Sequence, residues 1–76
     1  MAFADQLKRW RHRKFLTQKA LADAIPVALS TVQRWEMGKN LPYPATRRRL
    51  IDVLGITTDE FFAALESAEE PGKEAA

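Results

Sequence analysis

Basic side chains are the chemistry this sequence has in quantity. Eleven of its twelve lysines and arginines lie within residues 1–49, against three acids, Asp5, Asp23 and Glu36. Residues 50–76 reverse the balance, with Lys73 against seven acids. A basic body with an acidic end suits a polyanionic partner over the first two-thirds of the chain; the competing reading is a solvated charged surface. The groups that catalysis draws on are scarce. His12 is the one histidine, cysteine is absent, and no glycine-rich phosphate loop occurs. Asp59 and Glu60 fall together at a helix start, where carboxylates cap the helix and offset its dipole. His12, within a basic helix, reads as a surface residue. An enzyme is therefore not expected, and no metal or other cofactor. Without cysteine there are neither disulfides nor thiolate sites, and a reducing cytoplasm is the expected compartment. No apolar run approaches the roughly 20 residues of a membrane span. The opening Met1-Ala2-Phe3-Ala4-Asp5 lacks the basic-then-apolar pattern of a signal peptide.

Helices must position these charges. The chain has 76 residues, enough for one domain, and a domain this small buries only about 60% of the surface its unfolded chain exposes. Nothing alternates with period two, so no sheet is expected. Phe3, Leu7 and Trp10 recur at helical spacing and predict a first helix over 3–14. Thr17 is an N-cap for a second, whose narrow buried face is Ala20, Leu21 and Ala24. Pro26 stops it near Ile25. A third helix turns Val32 and Trp35 inward and ends at Gly38. The fourth opens on Pro44, carries Leu50, Ile51 and Leu54, and ends at Gly55. The fifth has a capping box, Thr57 with Glu60, followed by Phe61, Phe62 and Leu65. The fold class is all-α, a compact five-helix domain over 1–66. Residues 67–76, rich in Glu, Ala, Pro and Gly, form a disordered acidic tail or linker.

Two short helices joined by a tight turn within a basic body suggest a helix-turn-helix. The residues also carry a resemblance. Leu16-Thr17-Gln18-Lys19-Ala20-Leu21-Ala22, followed by Ser30-Thr31-Val32-Gln33-Arg34-Trp35-Glu36-Met37-Gly38-Lys39, resembles the XRE/Cro-type, or lambda-repressor-like, DNA-binding family. It extends through Pro42 and Leu54-Gly55-Ile56-Thr57 and covers residues 7–62. Phage repressors of this kind are the standard illustration of helix-turn-helix docking, with the second helix of the motif in the major groove. The resemblance implies base-facing roles for Leu29, Ser30, Gln33 and Arg34. Gln33 can pair with adenine, Leu29 can meet a thymine methyl, and Ser30 discriminates weakly. Arg34 can reach guanine or a phosphate. Against these stand plainer readings, in which Leu29 is a core residue and Gln33 and Arg34 a solvated face. Phosphate contacts are implied for Gln18, at a helix start, and for Lys39 and Asn40. Tyr43 adds a hydroxyl. Arg11 and Glu36 match positions that form an ion pair, so Arg11 reads mainly as an orienting residue with a phosphate contact besides. Arg47 and Arg48 extend the basic surface or are merely solvated.

The pattern is broken in places. Pro26 replaces a turn glycine and cannot adopt positive φ, so the turn should differ in shape. Ala28 stands where a Ser or Thr usually caps helix 3. Ser30 with Gln33 forms an S-x-x-Q box that would start that helix two residues late; the resemblance starts it near Ala28. Arg47 replaces an apolar residue, which lays its stem along the core. The expected function is a sequence-specific regulator of transcription, a repressor, binding double-stranded DNA as a homodimer on an inverted repeat. The dimer surface would be helix 5 if Phe61, Phe62 and Leu65 exceed what the core needs. Rival readings are an antitoxin-type protein gripping a partner protein through the acidic end, an interaction domain that has lost DNA binding, and the N-terminal part of a longer sensor regulator.

Overall fold

The computed structural model describes the backbone of residues 2–75 and the side chains through residue 66. Five helices follow one another: α1 (Phe3–Arg13), α2 (Gln18–Ala24), α3 (Leu29–Glu36), α4 (Pro44–Leu54) and α5 (Thr58–Ala75). No strand occurs among the described residues, and none of their helices is long and apolar enough to cross a membrane. The expected tail over 67–76 lies outside the residues whose side chains are described.

The core forms where the helical stripes converge. Phe3, Leu7 and Trp10 of α1 meet Phe61, Ala64 and Leu65 of α5, and Leu21, Val32, Trp35, Leu50 and Leu54 fill the space between. The Phe61 ring lies edge-on to Phe3, centroids 5.6 Å apart, and stacks with Trp10 at 6.4 Å. Such aromatic pairs add about 0.5–1.5 kcal/mol beyond their buried area.

Local chemistry sets the helix ends. The Thr17 hydroxyl accepts from the Ala20 N–H at 3.0 Å and starts α2. Thr57 and Glu60 close the expected capping box: the Glu60 carboxylate accepts from the Thr57 N–H at 2.9 Å, and the Thr57 hydroxyl accepts from the Glu60 N–H at 3.0 Å. Gly55 ends α4 at φ +67, where a side chain would also meet the end of Lys14. Phe15 does the corresponding work after α1, with φ +59. The Leu16 N–H donates to the Arg11 carbonyl at 3.1 Å and the Phe15 N–H to the His12 carbonyl at 2.9 Å, a Schellman closure built on a non-glycine residue. The Phe15 side chain is 95% exposed.

Two expected faces shift. The inner stripe of α2 is Leu21 and Ala22, continued by Ile25, while Ala24 is exposed and Ala20 only half-buried. Residues 18, 21, 22 and 25 follow helical spacing as well as 20, 21 and 24 do. The larger Ile25 decides the rotation by packing into the core at the C-cap. In α5, Phe61 and Leu65 are core residues rather than part of an outer surface, and only Phe62 remains open, 42% exposed. Phe61, Ala64 and Leu65 share one face of the helix at i, i+3, i+4 spacing, and Phe62, about 100° round from Phe61, falls outside it. The peptide bond before Pro26 is cis, and the Val27 N–H closes α2 on the Ala22 carbonyl at 2.8 Å.

Candidate nucleic-acid interface

The residues of α3 sort cleanly into two faces. Val32, Trp35 and Glu36 are buried, while Leu29, Ser30, Gln33 and Arg34 stand in solvent. Leu29 is 38% exposed and is not a core residue. The helix begins at Leu29 with Ala28 as its extended N-cap. Ser30 lies inside it, and among the described residues the Ser30 and Gln33 side chains form no capping box. The late-start alternative is thereby removed. Both side chains remain available to a partner.

A polar brace under this face fixes where it points. Arg11 is 9% exposed and Glu36 4%. Arg11 Nε donates to Glu36 Oε2 at 2.6 Å, and Arg11 Nη2 donates to Glu36 Oε1 at 3.0 Å. Arg11 Nη1 reaches the Leu16 carbonyl at 2.9 Å. Gln18 Nε2 also donates to Glu36 Oε1, at 3.0 Å. One carboxylate thus ties α1, the start of α2 and the end of α3 together. Paired, hydrogen-bonded geometry is what permits a charge to be buried. Arg11 is thereby set apart from the exposed residues; its guanidinium faces inward and positions α3.

The Gln18 bond to Glu36 was not foreseen from residue types. Its signal is positional: Gln18 is one helical turn before Leu21 and Ala22, on the face that α2 buries. Gln18 itself is half-buried, and its amide carries a second N–H able to donate.

Beyond α3 the chain turns at Gly38, φ +74. The Lys39 N–H donates to the Arg34 carbonyl at 3.0 Å and the Gly38 N–H to the Trp35 carbonyl at 3.2 Å, so the following loop is anchored on the last turn of α3. Lys39 and Asn40 are exposed on it, and Tyr43, the N-cap of α4, is 80% exposed. The structure brings Leu29, Ser30, Gln33, Arg34, Lys39, Asn40 and Tyr43 onto α3 and the loop that follows it.

The arginine run 47–49 divides. Arg47 Nε donates to the Pro42 carbonyl at 3.0 Å, and its guanidinium carbon lies 6.0 Å from the ring centroid of the exposed Phe62, so the half-buried side chain is held against α5. Arg49 Nε donates to the Ile25 carbonyl at 3.3 Å, at the end of α2 where a cation offsets the helix dipole. Arg48 is exposed. His12 is exposed, as its setting in a basic helix predicts.

A helix-turn-helix domain family matches residues 2–64. The chain belongs to that helix-turn-helix family. It is 30% identical over 66 residues to the HTH-type transcriptional activator BcrR of Enterococcus faecalis, across 87% of this chain. The helix-turn-helix chain spans about a third of that relative, 32% of its length. No solved structure matches.

Proposed function

We propose that this helix-turn-helix domain is a sequence-specific regulator of transcription of the XRE/Cro type, with α3 lying in the DNA major groove. The observation that carries the reading is the division of α3. Its inner face is locked by Trp35 and by the Arg11–Glu36–Gln18 brace, and its outer face offers Leu29, Ser30, Gln33 and Arg34 with no side-chain hydrogen bonds among the described residues. Rigid support behind exposed polar groups is what base readout needs, because the ordering cost is met before binding. Gln33 suits adenine, Leu29 a thymine methyl and Arg34 a guanine or a phosphate. Gln18, Lys39, Asn40 and Tyr43 hold the backbone.

The domain acts in the cytoplasm as a dimer on an inverted repeat, with half-sites about one helical turn, ~34 Å, apart. Phe62 is the large apolar side chain that α5 leaves exposed among the described residues, and a second copy would cover it. Repression by competing with polymerase is the simplest result of occupying a promoter. Activation is the activity named for the Enterococcus relative, and a promoter fusion read in both directions separates the two.

Selection of bound sites from random duplex DNA over a range of salt tests the reading. Enrichment of one motif, with a dyad, is expected. A steep salt dependence without a motif refutes sequence specificity, and no binding refutes the proposal entirely. Gln33→Ala should relax preference at one base pair by about 1–3 kcal/mol, whereas Lys39→Ala should weaken all sequences alike.

A further inference from the structure

The outer face of α3 has two flanks. Ser30 stands at its centre, and at about 100° per residue Gln33 and Arg34 lean to opposite sides of it. Gln33 shares its side with Leu29, and Arg34 shares the other with Thr31. On that second side lies a surface cleft of about 580 Å³. Thr31, Arg34 and the buried Trp35 line it from α3, and Asn40, Tyr43 and Thr46 line it from the loop and the start of α4. Gln33, Ser30 and Leu29 lie outside it. Its two walls are tied together, since the loop's Lys39 N–H is bonded to the carbonyl of Arg34 itself.

The polar side chains of this cleft share one property. A guanidinium, a carboxamide, a phenol and two threonine hydroxyls can all donate, and no carboxylate lies among them. Such a wall recognises an anionic oxygen. The planar fork of arginine pairs with phosphate through two hydrogen bonds, and the hydroxyl and amide donors are the ordinary companions of such a contact.

We propose that Arg34 works on the DNA backbone and not on a base. With Asn40 and Tyr43 it clamps a single phosphodiester in the cleft, and Leu29, Ser30 and Gln33 alone read the sequence. The assignment rests on the DNA-binding reading above and divides labour within it. Sequence preference then belongs to the Leu29–Gln33 flank, and register along the duplex belongs to the Arg34 flank.

The test uses the duplex that wild-type protein enriches, a scrambled duplex, and fluorescence anisotropy at several salt concentrations. Circular dichroism first verifies that the variants are folded; Arg34 is exposed, so its replacement leaves the core intact. Arg34→Ala should weaken both duplexes by the same factor, about 10-fold for one lost charge-assisted hydrogen bond. It should also reduce the magnitude of the salt slope by about one for each protomer bound. Arg34→Lys, which keeps a point charge, should recover most of that slope. A scan replacing each phosphate in turn by an uncharged methylphosphonate should find one position per half-site that weakens wild type and weakens Arg34→Ala much less. The assignment is overturned if Arg34→Ala loses discrimination at one base pair, if it binds as wild type does, or if no methylphosphonate position depends on Arg34. Wild type that binds no duplex at all sinks the DNA-binding reading, and the assignment with it.

Discussion

Replacing Glu36 by alanine should bring this domain close to unfolding. The carboxylate accepts hydrogen bonds from Arg11 Nε, Arg11 Nη2 and Gln18 Nε2, and the paired side chains are only 10% (Arg11) and 2% (Glu36) exposed. This is the buried case, where removing one partner leaves the other charge unpaired and costs about 3–5 kcal/mol. Domains are stable by roughly 0.05–0.15 kcal/mol per residue, so this chain holds on the order of 4–11 kcal/mol in all. A loss of even 3 kcal/mol lowers the melting temperature by about 12 °C or more at this size. Urea unfolding followed by the fluorescence of the buried Trp10 and Trp35, with circular dichroism beside it, measures the change. Glu36→Gln keeps an acceptor oxygen and should fall between wild type and alanine. Arg11→Met combined with Glu36→Leu removes both charges together and should recover most of the loss, because an apolar pair of similar volume avoids the desolvation cost. The reasoning fails if Glu36→Ala costs under about 1 kcal/mol, the value of a surface ion pair. It also fails if the double variant is no better than the single one.

Four other substitutions probe the fold. Phe15→Gly should stabilise by about 0.5–1 kcal/mol, since a left-handed residue other than glycine costs about 1–2 kcal/mol and a fully exposed ring loses no packing; unchanged or lowered urea resistance would contradict this. Phe61→Ala should cost about 3–5 kcal/mol, the penalty for emptying a packed aromatic site. Phe62→Ala should stay within about 1 kcal/mol in the monomer and weaken any self-association seen by sedimentation, and equal thermal losses for the two would overturn the assignment of Phe61 to the core and Phe62 to the surface of α5. Thr57→Ala should cost about 0.5–2 kcal/mol through the lost cap of α5, read as a lower melting temperature with unchanged DNA affinity.

Much of the fold was legible because large apolar residues repeat at helical spacing. Phe3, Leu7 and Trp10 set α1, Val32 and Trp35 set α3, and the Thr57–Glu60 box marked α5. What escaped sequence reasoning has specific causes. The face of α2 was displaced because Ile25, next to Pro26, reads as a terminator when it is also a core residue. Phe61 and Phe62 are chemically alike, and only the tertiary packing of α1 decides which one is covered. Phe15 carries no sign of its left-handed backbone, since that conformation is normally announced by glycine or asparagine. In the candidate interface, residue types and the family resemblance identified the exposed positions of α3. The burial of Arg11 and the engagement of Gln18 depend on three helices meeting at Glu36, which no local window contains. Arg47 and Arg49 likewise gained partners, the Pro42 and Ile25 carbonyls, that composition alone does not show.

The bond from Gln18 to Glu36 has a consequence for what the domain can measure. It holds the first turn of α2 at a set distance from the last turn of α3. On the proposed docking, one of those turns meets a phosphate and the other lies in the groove. The protein then acts as a calliper of fixed opening, and the duplex is the component that must yield. Bending or narrowing DNA costs an energy that varies with its base steps. Such a calliper would favour some operators over others at base pairs that no side chain touches.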